Sequence, residues 1–287
     1  MLTVRIQGGL GNQMFQYAYA RKMQLDGHVV DMHWHPPKRK SLHTGYSLDS
    51  VFSSQLKKNV PLANDSPLSP ILDTLKRKLS RIRQGNNVGY DPVFMELKSG
   101  YIDGYFQSEL YFSDIADVIK SELSFPEISG LKNEDICSWI DDHFVIAVHI
   151  RGGDYLNRGA MSGDMATVCG PEYYSKAIAE MQSRFPDGQF LVFSDDFEYA
   201  SLVMGDRGFK RVDWNVGSNS WKDMALMSKC NAHVTANSSF SWWGTWLSNS
   251  ELRIMPSPWF PPFADTYNKD IFIENSFIIE QSSELNG

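Results

Sequence analysis

Short apolar runs alternate with stretches of helical periodicity along this chain, most regularly in its second half. Residues 144–150 (Phe-Val-Ile-Ala-Val-His-Ile) are apolar at every position but His149. That is how a strand buried on both faces of a parallel sheet reads. Further strands are predicted at 189–194, 209–213, 232–236 and 252–255, and helices at 171–184, 196–204, 219–230 and 239–248. Pro171 and Glu172 suit a helix first turn, where the missing N–H costs nothing and the acid faces the helix dipole. Strands and helices alternating through short connections predict a parallel, right-handed, doubly wound sheet.

The first half begins with a strand over residues 2–7, followed by Gly8-Gly9-Leu10-Gly11-Asn12-Gln13. A helix is expected from Met14 to Gln24, ended by Gly27, and then a strand at 28–32. A dinucleotide fingerprint starting at Gly9 would need a small residue where Met14 stands, which weakens an oxidoreductase reading. The loop's amides can still face an anion at a helix N-terminus. Residues 67–83 carry an apolar stripe (Ile71, Leu72, Leu75, Leu79, Ile82) flanked by Lys and Arg, the pattern of a basic amphipathic helix able to lie on an anionic membrane surface. Gly100–Glu109 reads as an aromatic strand leading into a loop, and Leu110–Leu123 as helix. Residues 127–135 read as the boundary between domains. The expected fold is therefore α/β, with two Rossmann-like domains at 1–130 and 131–287 facing a cleft.

Composition adds little to the fold but narrows the partners. Residues 1–100 carry 14 Lys/Arg against 7 Asp/Glu, and the remainder 13 against 27. A basic first part beside an acidic second part suggests two domains with different partners, and the net charge of -7 argues against a general nucleic-acid binder. Three cysteines with no Cys-x-x-Cys pair, and no signal-peptide or membrane-spanning run, point to a reducing cytoplasm. Peripheral contact with the inner membrane face would run through residues 67–83. His33 and His35 lack a third ligand nearby, and no Asp-x-Asp or zinc spacing occurs, so no metal site is expected.

Three strand ends in the second half are polar: His149-Ile150-Arg151-Gly152-Gly153-Asp154, Phe193-Ser194-Asp195-Asp196, and Ala236-Asn237-Ser238-Ser239-Phe240. In open α/β sheets ligands bind beyond the carboxyl ends of the strands. A diphosphate leaving group needs donors at a helix N-terminus, which Ser238 and Ser239 can supply, and a cation, which Arg151 can supply with fork geometry. Asp195 or Asp196 could accept from a ribose or base, or simply cap the next helix; Asn237 and Ser238 could also be caps. Trp242, Trp243 and Trp246 read as packing residues.

Gly8-Gly9-Leu10-Gly11-Asn12-Gln13-Met14-Phe15-Gln16-Tyr17-Ala18, Gly104-Tyr105-Phe106-Gln107-Ser108-Glu109, the His149 loop, Phe193-Ser194-Asp195-Asp196 and Asn237-Ser238-Ser239-Phe240-Ser241-Trp242-Trp243-Gly244 together resemble the bacterial α-1,2-fucosyltransferases of glycosyltransferase family 11. The resemblance implies the GT-B arrangement of two Rossmann-like domains. It also implies inverting, metal-independent transfer of L-fucose from GDP-β-L-fucose to the 2-hydroxyl of a galactose-containing glycan or lipid-linked oligosaccharide, with no cofactor. It places His149, Arg151, Ser194, Asp195, Asn237, Ser238, Ser239 and Phe240 at the donor, together with Gly9 and Gly11 of the glycine loop, and Asn12 facing fucose and acceptor. Asp154, Glu109 and Asp103 are the candidate general bases. Where the family motif has a second arginine, this chain has Gly152. That departure raises the alternative of a weak or silent sugar-nucleotide binder, and leads to the expectation that arginine at 152 would improve donor use.

Overall fold

The computed structural model describes residues 1–34, 45–56, 79–85, 89–152, 169–260 and 269–281. The chain forms two compact units: Met1–Pro126 with Asp265–Ile271, and Glu127–Ala264 with Phe272–Gly287.

The first unit runs β1 (Leu2–Ile6), α1 (Leu10–Leu25), β2 (Val30–Trp34), the single turn α2 (Leu48–Val51), β3 (Arg81–Arg83), β4 (Gly100–Asp103) and α3 (Ala116–Glu122). Its four strands are parallel in the order β2-β1-β4-β3. Leu2, Val4 and Ile6 alternate into the core and are fully buried, as the two-residue period of a strand dictates. The chain winds from β1 outward to β2, then returns to place β4 on β1's other side. The switch point therefore lies between β1 and β4, with Gln7–Gly9 and Gly104 at its carboxyl end.

The second unit runs α4 (Leu131–Asp142), β5 (Val145–Ile150), α5 (Pro171–Arg184), β6 (Gln189–Ser194), α6 (Phe197–Met204), β7 (Phe209–Val212), α7 (Trp221–Met227), β8 (Ala232–Val234), α8 (Ser239–Trp246), β9 (Leu252–Ser257) and β10 (Phe277–Glu280). The sheet is parallel throughout, in the order β10-β9-β8-β5-β6-β7. All six residues of β5 are buried, because β6 pairs with one edge, β8 with the other, and helices cover both faces. Each fully buried Val or Ile there contributes about 1.5–3 kcal/mol relative to exposure. The switch point lies between β5 and β8. Trp242, Trp243 and Trp246 are buried and pack ring on ring in α8, Trp242 stacking on Trp246 at 5.9 Å.

Three local expectations change. Helix α4, not expected from the sequence, has narrow apolar anchoring, with Ile136 and Ile140 as its buried hydrophobic residues. Residues 81–83 are not helical but form β3, paired in register with Tyr101–Asp103; Leu75, Leu79 and Ile82 happen to continue a helical spacing across the strand. Residues 67–78, and His35, lie outside the described residues. The stretch 110–123 breaks into two 3₁₀ turns before α3. Helix α1 starts at Leu10, not Met14, since Gly8 makes the turn at φ +81° and Gly9 provides an extended cap. His33 is a buried core residue, its Nδ1 3.2 Å from the Tyr101 hydroxyl. Among the described residues no helix is long and apolar enough to cross a membrane.

Candidate active site

In the second unit, three of the expected polar clusters stand at the carboxyl ends of neighbouring strands. β5 delivers His149 and Arg151, β6 delivers Ser194 and Asp195, and β8 leads through Asn237 into the N-terminus of α8. In register, His149 lies beside Phe193 and Ile150 beside Ser194.

Arg151 is held by Asp195. Its Nη1 is 3.2 Å from Asp195 Oδ2, while Asp195 Oδ1 accepts the Gly152 amide at 2.9 Å. One carboxylate thus fixes both a guanidinium and the backbone beside it. The Tyr174 hydroxyl ties down the same turn from the other side, donating to the His149 carbonyl at 3.1 Å and accepting from the Arg151 amide at 3.3 Å. Arg151 remains partly exposed on this fixed base.

Gly152 is a close-packing residue. A Cβ there would sit 2.9 Å from Asp196 Cβ and 3.0 Å from Tyr199 Cδ1. Asp196 caps α6 through its side chain, accepting the Tyr199 amide at 3.0 Å, so neither neighbour yields without loosening that helix. The arginine at 152 that was expected to improve donor use would have to displace the Asp196 and Tyr199 side chains to fit.

His149 is buried and packs against the Phe240 ring at 5.9 Å. This contact joins the end of β5 to the first turn of α8. Burial, and after it the charge of Arg151, depress its pKa well below the usual imidazole range, so the ring is neutral at neutral pH. Its Nδ1 is buried with no hydrogen-bond partner. Ser238 caps α8, its hydroxyl accepting the Phe240 amide at 3.3 Å, with Ser239 opening the helix. Ser194 spends its hydroxyl on its own turn, donating to the Asp196 carbonyl at 2.9 Å and accepting its amide at 3.0 Å; it shapes the turn that carries Asp195. Asn237 is buried beneath the α8 turn.

In the first unit, Gly11 and Asn12 belong to the first turn of α1. Asn12 Oδ1 accepts from Gln107 Nε2 at 2.7 Å, a bond that crosses the switch point of that sheet. Two glutamines of the glycine-loop motif, given no role in the sequence reading, build the loop. Gln16 accepts the Gln7 amide at 2.8 Å and donates to the Gly104 carbonyl at 3.1 Å. Gln13 donates to the Gly8 and Gly45 carbonyls and accepts from the Ser47 and Leu48 amides. Both are fully buried, and buried amides survive only when paired in this way. Their spacing of three residues on one helix face was the available signal.

Of the three candidate bases, Asp103 does not fit. Burial would raise its pKa, but hydrogen bonds and charges from Arg81 and Arg5 outweigh that and hold its carboxyl below the ordinary range. Glu109 opens a 3₁₀ turn capped by Ser108, on the same loop as Gln107. Asp154 lies outside the described residues.

A further ionisable cluster was not expected. Asp223, in the first turn of α7, accepts from Asn215 at 2.8 Å; Asn215 exchanges hydrogen bonds with Asn133, which also accepts from the Trp214 indole. Burial raises the Asp223 pKa to about 7 against the Asn215 bond that lowers it. Among the described residues no group of three or more His, Cys, Asp or Glu is placed to hold a metal ion.

The sequence model described as "Glycosyl transferase family 11" matches residues 92–270. The chain is 31% identical over 274 residues to an "Alpha-1,2-colitosyltransferase" of Escherichia coli, covering 91% of this chain and 92% of that protein. It is 28% identical to the "O-antigen biosynthesis glycosyltransferase WbnK" of Escherichia coli, over 89% of this chain and 93% of that one. It is 23% identical to "Galactoside 2-alpha-L-fucosyltransferase Sec1" of Mus musculus, over 88% and 65%. Among solved structures, E. coli ADP-heptose lps heptosyltransferase II aligns with a TM-score of 0.47 at 13% identity, over 98% of this chain and 91% of that one.

Proposed function

The chain belongs to glycosyltransferase family 11 and each of its two units is built on a parallel α/β sheet; from that premise we propose that it transfers L-fucose from GDP-β-L-fucose to the 2-hydroxyl of a galactose-containing glycan, with inversion, in the assembly of an O-antigen or similar surface polysaccharide. The observation that carries the reading is Arg151, anchored through Asp195 at the end of β5, beside the strand that leads into the Ser238-capped helix. A guanidinium and a helix N-terminus on adjacent strand ends form a receptor for a diphosphate.

In this reading the second unit binds the donor and the first receives the acceptor. As the bond from the sugar carbon to the diphosphate breaks, negative charge builds on the leaving oxygens, and Arg151 with the Ser239 amide at the start of α8 stabilises it. No metal is needed for that step. Neutral His149 contributes a hydrogen bond to the nucleotide without adding charge. Asn12, held by Gln107, aligns the acceptor hydroxyl, and Glu109 or Asp154 removes its proton. The relative described as an alpha-1,2-colitosyltransferase favours colitose as a second candidate for the transferred sugar. Gly152 does not favour a silent binder, since its Cβ position is occupied by the packing of α6.

The test is ligand-dependent melting followed by turnover. GDP should raise the melting temperature where UDP and ADP at equal concentration do not, and GDP-fucose or GDP-colitose should then be consumed with a galactoside present. Equal shifts by all three nucleotides would remove the guanosine donor.

A further inference from the structure

The first unit places three guanidinium groups around one carboxylate, on the face of its sheet opposite the Leu2, Val4 and Ile6 core. Arg5 Nη1 lies 3.1 and 3.2 Å from the two oxygens of Asp103. Arg81 Nη2 is hydrogen-bonded to Asp103 Oδ2, and Arg83 Nε stands 3.7 Å from the same oxygen. Gln7 Nε2 adds a neutral donor to Asp103 Oδ1 at 3.1 Å. The register explains the grouping. Arg81 pairs with Tyr101 and Arg83 with Asp103, so side chains at 81, 83, 101 and 103 project to one side, as does Arg5 on β1.

A structural ion pair needs one cation per carboxylate. Among the described residues three cations share one, leaving an excess of two positive charges at the carboxyl end of the sheet. Asp31 on β2 faces the same side, but beside Thr3 and with two strands between it and β3. Arg83 is on the edge strand with its side chain 65% exposed, while Asp103 is only 8% exposed. Arg81 Nε is buried with no hydrogen-bond partner. Guanidiniums carry five donors each, and one carboxylate cannot saturate three of them. Gln7, which touches Asp103, is the residue whose amide Gln16 holds, so the cluster adjoins the glycine turn that leads into α1 and Asn12.

We propose that Arg81 and Arg83, preset by Asp103 together with Arg5, form a binding site for a phosphate or diphosphate group, separate from the donor site on the second unit. Asp103 orients the arginines and offsets part of their mutual repulsion, and the anion supplies the missing negative charge. Two sources share this chemistry: the diphosphate of a lipid-linked acceptor and the headgroups of an anionic membrane. The acceptor source rests on the glycosyl-transfer reading above; the site itself does not.

The experiment titrates inorganic pyrophosphate into the full chain by calorimetry at low salt, with GDP present in excess to occupy the donor site. Arg83→Glu should weaken pyrophosphate binding at least about tenfold and Arg83→Lys much less, since Lys keeps the charge and loses the fork. Pyrophosphate should also bind Arg151→Ala without GDP, which separates failure of this site from failure of the donor assignment. Equal binding by wild type and Arg83→Glu overturns the proposal. Two further arms then name the source. One compares KM for a galactoside diphosphate ester with that for methyl galactoside. The other compares sedimentation with phosphatidylglycerol-containing vesicles and with phosphatidylcholine alone. An Arg83→Glu effect confined to the ester assigns the acceptor, one confined to the anionic vesicles assigns the membrane, and an effect on pyrophosphate alone assigns a soluble phosphate compound.

Discussion

Arg151 illustrates what a sequence conveys about a single residue and what it withholds. An arginine just past a buried strand is legible as a ligand-facing cation from the abrupt end of the apolar run. Its partner Asp195, 44 positions away, is not, because nothing local says which carboxylate will meet it. Replacing Arg151 by Ala should lower kcat/KM at least about a hundredfold, the usual cost of losing a group that stabilises transition-state charge; steady-state kinetics with saturating acceptor would show it. Gly152 runs the other way. Read alone, it is a missing arginine. In the fold it is the contact between the β5 loop and α6, with 2.9 Å available where a Cβ needs more. Gly152→Ala should cost roughly 1–3 kcal/mol of stability by overpacking, and Gly152→Arg should lower donor use rather than raise it. Denaturant titration alongside donor KM would test both, and a Gly152→Arg protein as stable as wild type with tighter donor binding would contradict the packing argument.

At the scale of elements, the second unit was the more readable. Its strands are doubly buried, so periodicity and length agree, and the strand and helix positions follow closely. The departures share one cause: elements whose identity is set by tertiary partners. β3 has three residues and exists because β4 offers it an edge. α4 has a narrow buried stripe, and Asn133 in its first turn is anchored by Asn215 and Trp214. The glycine loop was seen as a loop, but its last residues are helix, and nothing in the sequence showed that the glutamines of the motif brace it. Gln16→Ala should therefore destabilise by about 1–3 kcal/mol for each buried group left unpaired, here the Gln7 amide and the Gly104 carbonyl. It should also lower kcat/KM through the displaced Asn12. Urea unfolding would measure the first effect, and a change below a few tenths of a kcal/mol would mean that water replaces the amide.

At the scale of the whole chain, the uneven charge seen in the sequence acquires a location. Part of the positive first half is the arginine group around Asp103, and the acidic second half contains one carboxyl, Asp223, whose burial works against its charge. Its folded pKa of about 7 lies above the ordinary value of 3.8. The folded state therefore binds more protons than the unfolded state between those limits. Stability from this group is fully present below about pH 4 and declines as pH rises through 7. Asp223→Asn keeps an acceptor for Asn215 and removes the charge, so its melting temperature relative to wild type should be higher at pH 8 than at pH 5. A difference that does not change with pH would show that Asp223 is not the titrating group. Membership of glycosyltransferase family 11 sets the frame for all of these effects, while the donor, the acceptor position and the base are what the proposed mechanism adds. The most direct measurement of it is incubation of the purified chain with GDP-fucose or GDP-colitose, EDTA and a panel of galactosides, with the product linkage and anomeric configuration determined by NMR. The account predicts an α-1,2-linked product formed despite the chelator; a product linked elsewhere, retention of the β configuration, or activity that requires added divalent metal would contradict it.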